Sequence, residues 1–281
     1  MAGKTIKAEY RTMEQLREHY EIEKELASRL HNASRQERQY MYSSLYNELY
    51  QRVPHHPGLT RKVSPEQTRA AVSAQMPFFK HFLNKESTFL EIGAGDCALS
   101  LEVAKFVRQV YAVDVSNQII SDVIPPDNFK FILSDGCSIP VPECRVNVAY
   151  SNQLIEHLHP GDVIAHLQSI YNVLIPGCVY ICVTPNKLNG PHDISMYFDP
   201  IATGFHLKEY TISELSSLFR DAGFSKFKAL VGGNGIYINT AIFPLVFCEK
   251  LLCMLPRRLR KPIAVSQPFR SWLGIRLMAI K

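Results

Sequence analysis

One short stretch constrains the fold of this chain more than any other. Residues 89–100 read FLEIGAGDCALS, in which an apolar run containing Glu91 meets two glycines, Gly93 and Gly95, and a second apolar segment follows. A strand, a glycine turn and a helix in this order are typical of a loop where a ligand lies against bare backbone. Because more than one nucleotide cofactor uses such a loop, the rest of the sequence must identify the ligand.

Strand-like apolar runs alternate with helical stretches after residue 64. The runs are TFLEIG, VYAVDV, FKFILSD, VNVAYSN and CVYICVTP, and the helical candidates between them are CALSLEVAKFV, NQIISDVI and GDVIAHLQSIYNVL. Such alternation predicts a parallel sheet with helices on both faces. KFKALVGG and GIRLMAIK add two strands, and an antiparallel pairing of the last strand stays open because no crossover helix precedes it. The predicted fold class is α/β, with a doubly wound, mostly parallel, seven-stranded sheet.

The N-terminal region differs in character from the rest. MEQLREHYEIEKELASRL and RQERQYMYSSLYNELYQRV are charged and tyrosine-rich, and the polar segment NAS between them offers capping residues. The proline- and glycine-containing stretch VPHHPGLTRKVSP indicates a linker, and Ser64 with Pro65 marks the next helix start. We therefore predict a helical cap over 1–62 and an α/β domain over 63–281, with 236–270 as an insertion before the last strand.

Composition and charge limit the classes of function. The chain has 281 residues, 46% hydrophobic content and a net charge of +5, which fits an anionic substrate or a membrane surface without requiring either. Basic and aromatic residues are not interleaved in a strand-like stripe, so nucleic acid is not an expected partner. The seven cysteines form no C-x-x-C pair, the first residues lack the apolar core of a signal peptide, and the apolar stretch 236–247 is too short to span a bilayer. We expect a cytoplasmic protein.

Acidic residues near the predicted strand ends narrow the choice of ligand. Open sheets bind ligands at these ends, and Asp114 lies 21 residues beyond Gly93, where a carboxylate can accept hydrogen bonds from a ribose diol. Asp96 directly follows Gly95, where it would repel the pyrophosphate of a dinucleotide. A sulfonium cofactor carries no phosphate, and Glu91 lies where it can reach an amino group. The pattern favours adenosine with a methionine tail, although Gly93-x-Gly95-x-x-Ala98 also fits a dinucleotide fingerprint.

At this point the sequence resembles the class I S-adenosylmethionine-dependent methyltransferases of the small-molecule type. The matching pieces are E-I-G-A-G (91–95), V-D-V-S (113–116), S-D-G (134–136), N-Q-L-I-E-H-L (152–158), L-I-P-G-C (174–178) and H-L-K-E-Y-T…E-L…A-G-F (206–224). They stand in the family's order and spacing over residues 65–235, whereas the N-terminal helices and 236–270 match nothing so specific. The resemblance implies a Rossmann-like fold that binds S-adenosylmethionine.

The resemblance also assigns the cofactor-binding positions. They are Glu91, Gly93, Gly95, Asp114, Asp135, Gly136, Asn152 and Gln153. Glu91 and the two glycines would line the methionine part, Asp114 would hold the ribose, and Asp135 would contact the adenine. Asn152 or Gln153 would lie beside the reacting methyl group.

The run QLIEHLH (153–159) holds the candidates for catalysis, Glu156, His157 and His159. A histidine here is a candidate base, because an oxygen nucleophile must lose a proton. Ubiquinone-pathway O-methyltransferases and small-RNA 2′-O-methyltransferases carry the similar motif E-x-x-E-H and bind a divalent metal such as Mg²⁺ with it. Gln153 replaces the first acid, so the resemblance leaves Glu156, His157 and His206 as metal ligands. The alternative is that Glu156 and His157 only shape the turn after the fourth strand.

The predicted activity is methyl transfer from S-adenosylmethionine to a small-molecule or lipid-like acceptor. Oxygen is the expected acceptor atom, with nitrogen and carbon open. Two other classes remain: an NAD(P)-dependent oxidoreductase using the same glycine loop, and a non-catalytic subunit with a methyltransferase fold. A non-catalytic subunit would typically lose the glycines or the ribose acid, and this sequence keeps both.

Two further segments carry competing interpretations. Tyr42, Tyr46 and Tyr50 share one helix face, which indicates packing against the core or a substrate clamp. In the family that the sequence resembles, N-terminal helices commonly close over the substrate, so Tyr46 and His56 are additional candidates for contact with it. FPLVFCEKLLCML followed by PRRLRK predicts an apolar helix with a basic end, so 241–261 is either a solvated surface or a peripheral membrane contact.

Overall fold

The computed structural model describes residues 10–60, 64–116, 124–233 and 235–281. Most of the helix predicted at 117–124 lies outside the described residues, as does the predicted domain boundary between residues 62 and 63. The division into a cap and an α/β domain therefore stays a prediction.

A single mixed sheet forms the centre of the molecule. Its strands are β1 Thr88–Ile92, β2 Gln109–Asp114, β3 Phe129–Leu133, β4 Val146–Asn152, β5 Leu174–Thr184, β6 Lys226–Gly233, β7 Ile236–Thr240 and β8 Ile275–Ile280. Their order across the sheet is β3-β2-β1-β4-β5-β8-β6-β7. The first five strands pair in parallel, and β8 lies antiparallel between β5 and β6. The predicted fold class is confirmed.

The sheet has eight strands rather than the seven predicted. Residues Ile236–Thr240, which the sequence assigned to an insertion, pair antiparallel with β6 at the edge of the sheet. No side chain of this strand is fully buried, and Ile236, Ile238 and Asn239 are all exposed, so the apolar–polar alternation of a half-buried strand is missing from its sequence.

The described helices are α1 Met13–Asn32, α2 Arg35–Arg52, α3 Pro57–Thr60, α4 Pro65–Gln75, α5 Ala98–Val103, α6 Val163–Val173, α7 Ile212–Asp221, α8 Ile242–Cys253, α9 Arg257–Val265 and α10 Phe269–Leu273. Four of them begin with a capping box, in which a hydroxyl side chain and a Glu or Gln three residues later satisfy two otherwise unpaired N–H groups. The caps are Thr12, Ser34, Ser64 and Thr211. The helix starts predicted at the NAS segment and at Ser64 are confirmed.

Hydrophobic residues pack on both faces of the sheet. Alternate side chains of β1 enter different clusters, Leu90 on one face and Phe89 on the other. Leu26 of α1 and Leu45 of α2 belong to the same cluster as Leu90. The N-terminal helices therefore share their hydrophobic core with the sheet.

A buried ion pair fastens α2 to the start of α6. Arg38 donates from Nε and Nη2 to the two carboxylate oxygens of Asp162, at 2.7 Å each. The side chains are 8% and 1% exposed, so the pair is almost dry. Tyr42 donates its hydroxyl to the same carboxylate. This contact fixes α2 above the carboxyl edge of the sheet.

No helix in the described part of the chain combines the length and apolar character that a bilayer crossing needs.

Candidate active site

A cavity of about 250 Å³ lies at the carboxyl ends of β1, β2 and β4. The sheet side is formed by Gly93, Gly95 and Asp114, and Gln153 and Leu154 follow β4. Parallel strands bring their carboxyl ends to one edge, so residues far apart in sequence meet here. The glycine loop, the predicted ribose acid and the end of β4 therefore do come together.

The glycine loop takes a conformation that side chains disfavour. Gly93 and Gly95 have φ of +73° and +54°, in the left-handed region. The Gly95 N–H donates to Asp114 Oδ2 at 2.8 Å, and the Ser116 N–H donates to Oδ1 at 3.1 Å. Each carboxylate oxygen keeps a further lone pair. Asp114 thus holds the loop in shape and can still accept hydrogen bonds from a ligand.

Three predicted cofactor residues lie near the cavity without lining it, Glu91, Asp135 and Asn152. Glu91 accepts a 2.6 Å hydrogen bond from the Ser100 hydroxyl, and burial raises the pKa of Glu91 to about 8. Asp135 accepts from the backbone N–H groups of Cys137 and Ser138. Its neighbour Gly136 lines the cavity. Oδ1 of Asp135 thus caps the turn after β3, and Oδ2 accepts from Gln39 Nε2 at 3.2 Å. The contact of Asp135 with the adenine stays a prediction.

The tyrosine face of α2 forms the opposite wall. Tyr42, Tyr46 and Tyr50 all line the cavity. Tyr42 is also buried in the core cluster, which agrees with the packing interpretation, whereas the substrate-clamp interpretation stays a prediction. A Cβ on Gly136 would lie 2.9 Å from the Tyr42 ring, so this glycine allows α2 its close approach.

His166 of α6 also lines this cavity, although no motif or spacing in the sequence singles it out. Its side chain is buried, and neither ring nitrogen has a hydrogen-bond partner among the described residues. Burial lowers the pKa of His166 to about 4, so the ring is neutral at pH 7. A buried imidazole without partners is costly. A polar ligand in the cavity would satisfy it.

A second cavity of about 280 Å³ lies beside the first. It is lined by groups from three separate segments, namely His19 and Glu23 of α1, His56 before α3, and His192 and Asp193 after β5. His157 lines both cavities, so its imidazole stands at their junction. His206 lines this cavity too. The sequence singled out His56, His157 and His206, but not His19, Glu23, His192 or Asp193, because no spacing motif connects these segments.

The hydrogen bonds of His157 define its tautomer. Nδ1 lies 2.9 Å from the carbonyl oxygen of Phe205 and 3.0 Å from the Tyr46 hydroxyl. A carbonyl only accepts, so Nδ1 carries the proton and Nε2 keeps its lone pair. Burial and the nearby His206 lower the pKa of His157 to about 4. At pH 7 the ring is a neutral acceptor.

Glu156 and His206 lie next to His157, as the metal hypothesis requires. One potential ligand atom from each of the three residues lies within 4.8 Å of the others. Glu156 is fully buried; its Oε2 accepts from Thr184 at 2.9 Å, whereas Oε1 has no partner among the described residues, and burial raises its pKa. His206 Nδ1 lies 2.8 Å from Glu209, which leaves Nε2 unprotonated in the neutral ring. Burial acts to lower the pKa of His206, but the hydrogen bond to Glu209 raises it overall.

His159, the third catalytic candidate, lies outside both cavities. Its Nδ1 accepts from the Gly161 N–H, and its ring contacts His31. It is therefore placed as a turn residue rather than beside a reacting atom.

A second group of potential ligands, His19, Glu23 and His56, lies across the second cavity. Their lone pairs are already engaged: Arg11 donates to His19 Nδ1, and the Gly58 N–H donates to His56 Nδ1. The remaining ring nitrogens are then donors; that of His19 already donates to Glu23 Oε1 at 2.9 Å, which leaves His56 Nε2 for a ligand. This arrangement suits hydrogen bonding to a substrate better than metal binding.

Comparisons with known proteins agree with this geometry. The family profile described as "Methyltransferase domain" matches residues 65–228. A probable S-adenosylmethionine-dependent methyltransferase of Mycolicibacterium smegmatis is 28% identical over 138 residues, which are 48% of this chain and 51% of the relative. A protein of Mycobacterium tuberculosis described in the same way is 29% identical over 136 residues, 48% of this chain and 47% of the relative. The match thus spans about half of these curated relatives.

Solved structures with low sequence identity share the fold. A putative methyltransferase of Haloferax volcanii, solved in complex with the Trm112 activator, gives a TM-score of 0.52 at 14% identity, covering 77% of this chain and 94% of that chain. An S-adenosylmethionine-dependent methyltransferase of Archaeoglobus fulgidus gives 0.50 at 18% identity, covering 76% and 94%. The resemblance inferred from the sequence is confirmed, and the chain belongs to the methyltransferase-domain family of class I S-adenosylmethionine-dependent methyltransferases.

Proposed function

We propose that this protein transfers a methyl group from S-adenosylmethionine in the first cavity to an oxygen of a small-molecule or lipid-like acceptor in the second. The observation that carries the proposal is the position of His157, which lines both cavities. A transferred group has to pass between donor and acceptor, and the junction of the two cavities is the place where they can meet in line.

The residues of the first cavity fit the cofactor. A Cβ added to Gly95 would meet no atom within 4 Å, so the loop faces open space that a ligand can fill. Asp114 would hold the ribose, and the bare backbone of Gly93 and Gly95 would lie against the methionine part. When bound, S-adenosylmethionine supplies a methyl group that its sulfonium has already activated. The protein therefore needs to position the acceptor and exclude water.

His157 can take the proton that an acceptor hydroxyl loses. Its Nε2 lone pair is available because Nδ1–H is directed to Phe205 and Tyr46. Tyr46 and Phe205 also pack against each other, with ring centroids 5.0 Å apart, which restricts the imidazole further. Oxygen is favoured as the acceptor atom because a base of this kind is needed for a hydroxyl.

As an alternative to this role as a base, we propose that Glu156, His157 and His206 hold a divalent cation. The cation would take the Nε2 lone pair of His157, so His157 would then be a ligand and not the base. The support comes from the donor set, two imidazoles and a buried carboxylate whose Oε1 lacks a hydrogen-bond partner among the described residues. A bound cation would lower the pKa of an acceptor hydroxyl. The outer contacts from Glu209, Thr184 and Phe205 orient the three side chains, as is usual around metal ligands.

The cofactor is tested by calorimetric titration with S-adenosylmethionine and, in parallel, with NAD. We expect saturable binding of S-adenosylmethionine alone, followed by formation of S-adenosylhomocysteine when hydroxyl-bearing acceptors are added. Binding of NAD in its place would contradict the proposal. Cofactor binding without turnover of any hydroxyl, amine or carbon acceptor would instead favour a non-catalytic subunit.

The cation is tested separately by titrating metal-free protein with Mn²⁺ and Mg²⁺ and recording heat and thermal unfolding. We expect binding that Glu156→Gln abolishes while S-adenosylmethionine still binds. Glu143→Gln is the matched control, because Glu143 is exposed and lies outside the cluster. Equal cation binding by both variants would mean that Glu156 is not a ligand, which would contradict the proposed metal site.

A further inference from the structure

Exposed apolar side chains are concentrated in one part of the molecule. Of the nineteen large hydrophobic side chains that are exposed in the described chain, nine fall within 236–272: Ile236, Ile238, Phe243, Phe247, Leu251, Met254, Leu259, Val265 and Trp272. Single exposed hydrophobics are ordinary, but a concentration of this kind marks a surface that meets another apolar phase.

Helix α8 is apolar on two opposite faces. Leu245 and Leu252 are buried on the inner face, at 6% and 5% exposure. Phe243, Phe247 and Leu251 recur every four residues on the outer face and are 76%, 56% and 49% exposed. A helix that only had to pack on the sheet would carry polar residues there.

The outer face of α8 is held rigidly. Glu249, buried on the inner face, accepts hydrogen bonds from Asn186 and from the backbone N–H groups of Ile212 and Ser213. These two N–H groups belong to the first turn of α7, so Glu249 satisfies a helix N-terminus while anchoring α8. Phe243, Phe247 and Leu251 are thus presented by a fixed element.

The helix that follows carries the charge. Arg257, Arg258, Arg260 and Lys261 belong to α9, which packs against α8. Lys250 and Arg270 bring the basic residues of 236–272 to six, whereas the one acidic residue of this segment, Glu249, is 2% exposed. Met254, directly after α8, and Leu259 of α9 are exposed as well.

We infer that this surface, formed by the outer face of α8 and by α9 and called here the α8–α9 surface, docks onto an anionic lipid bilayer. Its apolar stripe would enter the headgroup boundary while the arginines contact lipid phosphates, the combination that interfacial helices use. Charge complementarity favours lipid over a second copy of the chain. A symmetric dimer through this surface would bring like-charged arginines together. The inference does not depend on the chemistry of methyl transfer.

The test is flotation of the full chain with phosphatidylcholine vesicles and with vesicles that also contain phosphatidylglycerol. We expect binding to the anionic vesicles that declines with salt. Phe247→Glu should weaken it at least about tenfold, since burial of one aromatic side chain is lost. Arg258→Gln should weaken it about fivefold, the contribution of one basic residue near an anionic surface.

Phe106→Glu is the matched control, because Phe106 is also exposed but lies outside the α8–α9 surface. It should leave vesicle binding unchanged, and all variants should keep the circular dichroism and unfolding temperature of the parent. No binding to anionic vesicles, or equal binding by Phe247→Glu, would overturn the inference. A lipid-free dimer that Phe247→Glu converts to monomer would assign the surface to a second copy and would overturn it as well.

Discussion

The two cavities on either side of His157 are built in different ways. The first is formed largely by backbone and strand ends, with two glycines in the left-handed region and Asp114 bonded to the loop it supports. The second is formed by side chains from α1, from the turn before α3 and from the segment after β5. A cofactor shared by a whole family needs a site that the fold itself supplies, whereas an acceptor needs a site that side chains can redefine.

The two cavities also differ in their titratable groups. Five histidines line the second cavity, His19, His56, His157, His192 and His206. Burial lowers the pKa of His56 to about 4, so its ring is neutral at pH 7. Burial works against the charge of Glu23 too, but the hydrogen bond from His19 and the Phe205 N–H lower its pKa overall. The second cavity thus combines two neutral imidazoles, His56 and His157, with the Glu23 carboxylate and with His206, whose pKa is raised by Glu209, so it suits a polar group.

The largest expected effect concerns α2, whose tyrosine face lines the first cavity. Arg38→Ala should lower the free energy of unfolding by about 3–5 kcal/mol, because it leaves the buried Asp162 carboxylate without its charge partner. Arg35→Ala is the matched control: Arg35 lies 3.9 Å from the same carboxylate but is 62% exposed, and its loss should cost less than about 1 kcal/mol. Urea unfolding of the three proteins checks both values. Equal losses would mean that the buried pair does not hold α2 in place.

The same pair predicts a pH dependence. Burial acts to raise the pKa of Asp162, but the hydrogen bonds from Arg38 lower it overall. A carboxyl with a lowered folded pKa stabilises the protein above its unfolded pKa, about 4, and loses that contribution as the pH falls through the folded value. The difference in stability between the parent and Asp162→Asn should therefore be constant from pH 5 to 7 and shrink below about pH 4. Chemical unfolding at several pH values checks this, and a difference that grows on acidification would refute it.

The next prediction tests whether the first cavity binds the cofactor. Asp114→Ala should weaken S-adenosylmethionine binding about a hundredfold, since it removes charge-assisted hydrogen bonds to the ligand and releases the Gly95 loop. Asp127→Ala, at an exposed carboxylate outside the cavity, should leave binding unchanged. Calorimetric titration checks both variants. Undiminished binding by Asp114→Ala would mean that another residue holds the ribose.

The sequence indicated more of the first cavity than of the second, where it singled out His56, His157 and His206 but not His19 or His192. Glycines with positive φ, an acid one strand further on and the run after β4 are local signals with a physical cause, and they located Gly93, Gly95, Asp114 and Gln153 correctly at one edge. His19 and His192 lie in segments with no motif between them, and only the tertiary fold brings them together. The periodicity of side chains along the sequence does not indicate which distant segments will be in contact.

Strand β7 and the turn after β3 show two further limits of prediction from the sequence. β7 escaped prediction because an edge strand with exposed apolar residues lacks the alternation of a half-buried strand. Sequence also cannot tell a carboxylate that faces a ligand from one that caps its own turn. Asp135 accepts hydrogen bonds from the N–H groups of Cys137 and Ser138, a capping role that the sequence did not indicate, while its contact with the adenine stays a prediction.

His166 gives a smaller effect that only the structure suggests. His166→Leu should weaken S-adenosylmethionine binding about three- to tenfold, because one hydrogen bond to the buried imidazole is lost. The same substitution should not destabilise the free protein, since the ring has no hydrogen-bond partner among the described residues. His166→Gln should restore part of the affinity by keeping a polar group. Calorimetry measures the affinity, and thermal unfolding measures the stability. An unchanged affinity in His166→Leu would show that His166 does not contact S-adenosylmethionine.

The smallest expected effect tests whether the two cavities are independent. His56 lines the second cavity, and its ring centroid lies 5.1 Å from that of Tyr50, which lines the first. His56→Phe keeps a ring in this position but removes both nitrogens, so it should change S-adenosylmethionine affinity by less than about twofold while it reduces acceptor turnover. Tyr50→Ala, at the other ring of the same pair, should weaken cofactor binding measurably. If His56→Phe weakens cofactor binding as much as Tyr50→Ala does, the second cavity is part of the cofactor site, and the acceptor has to approach His157 by another route.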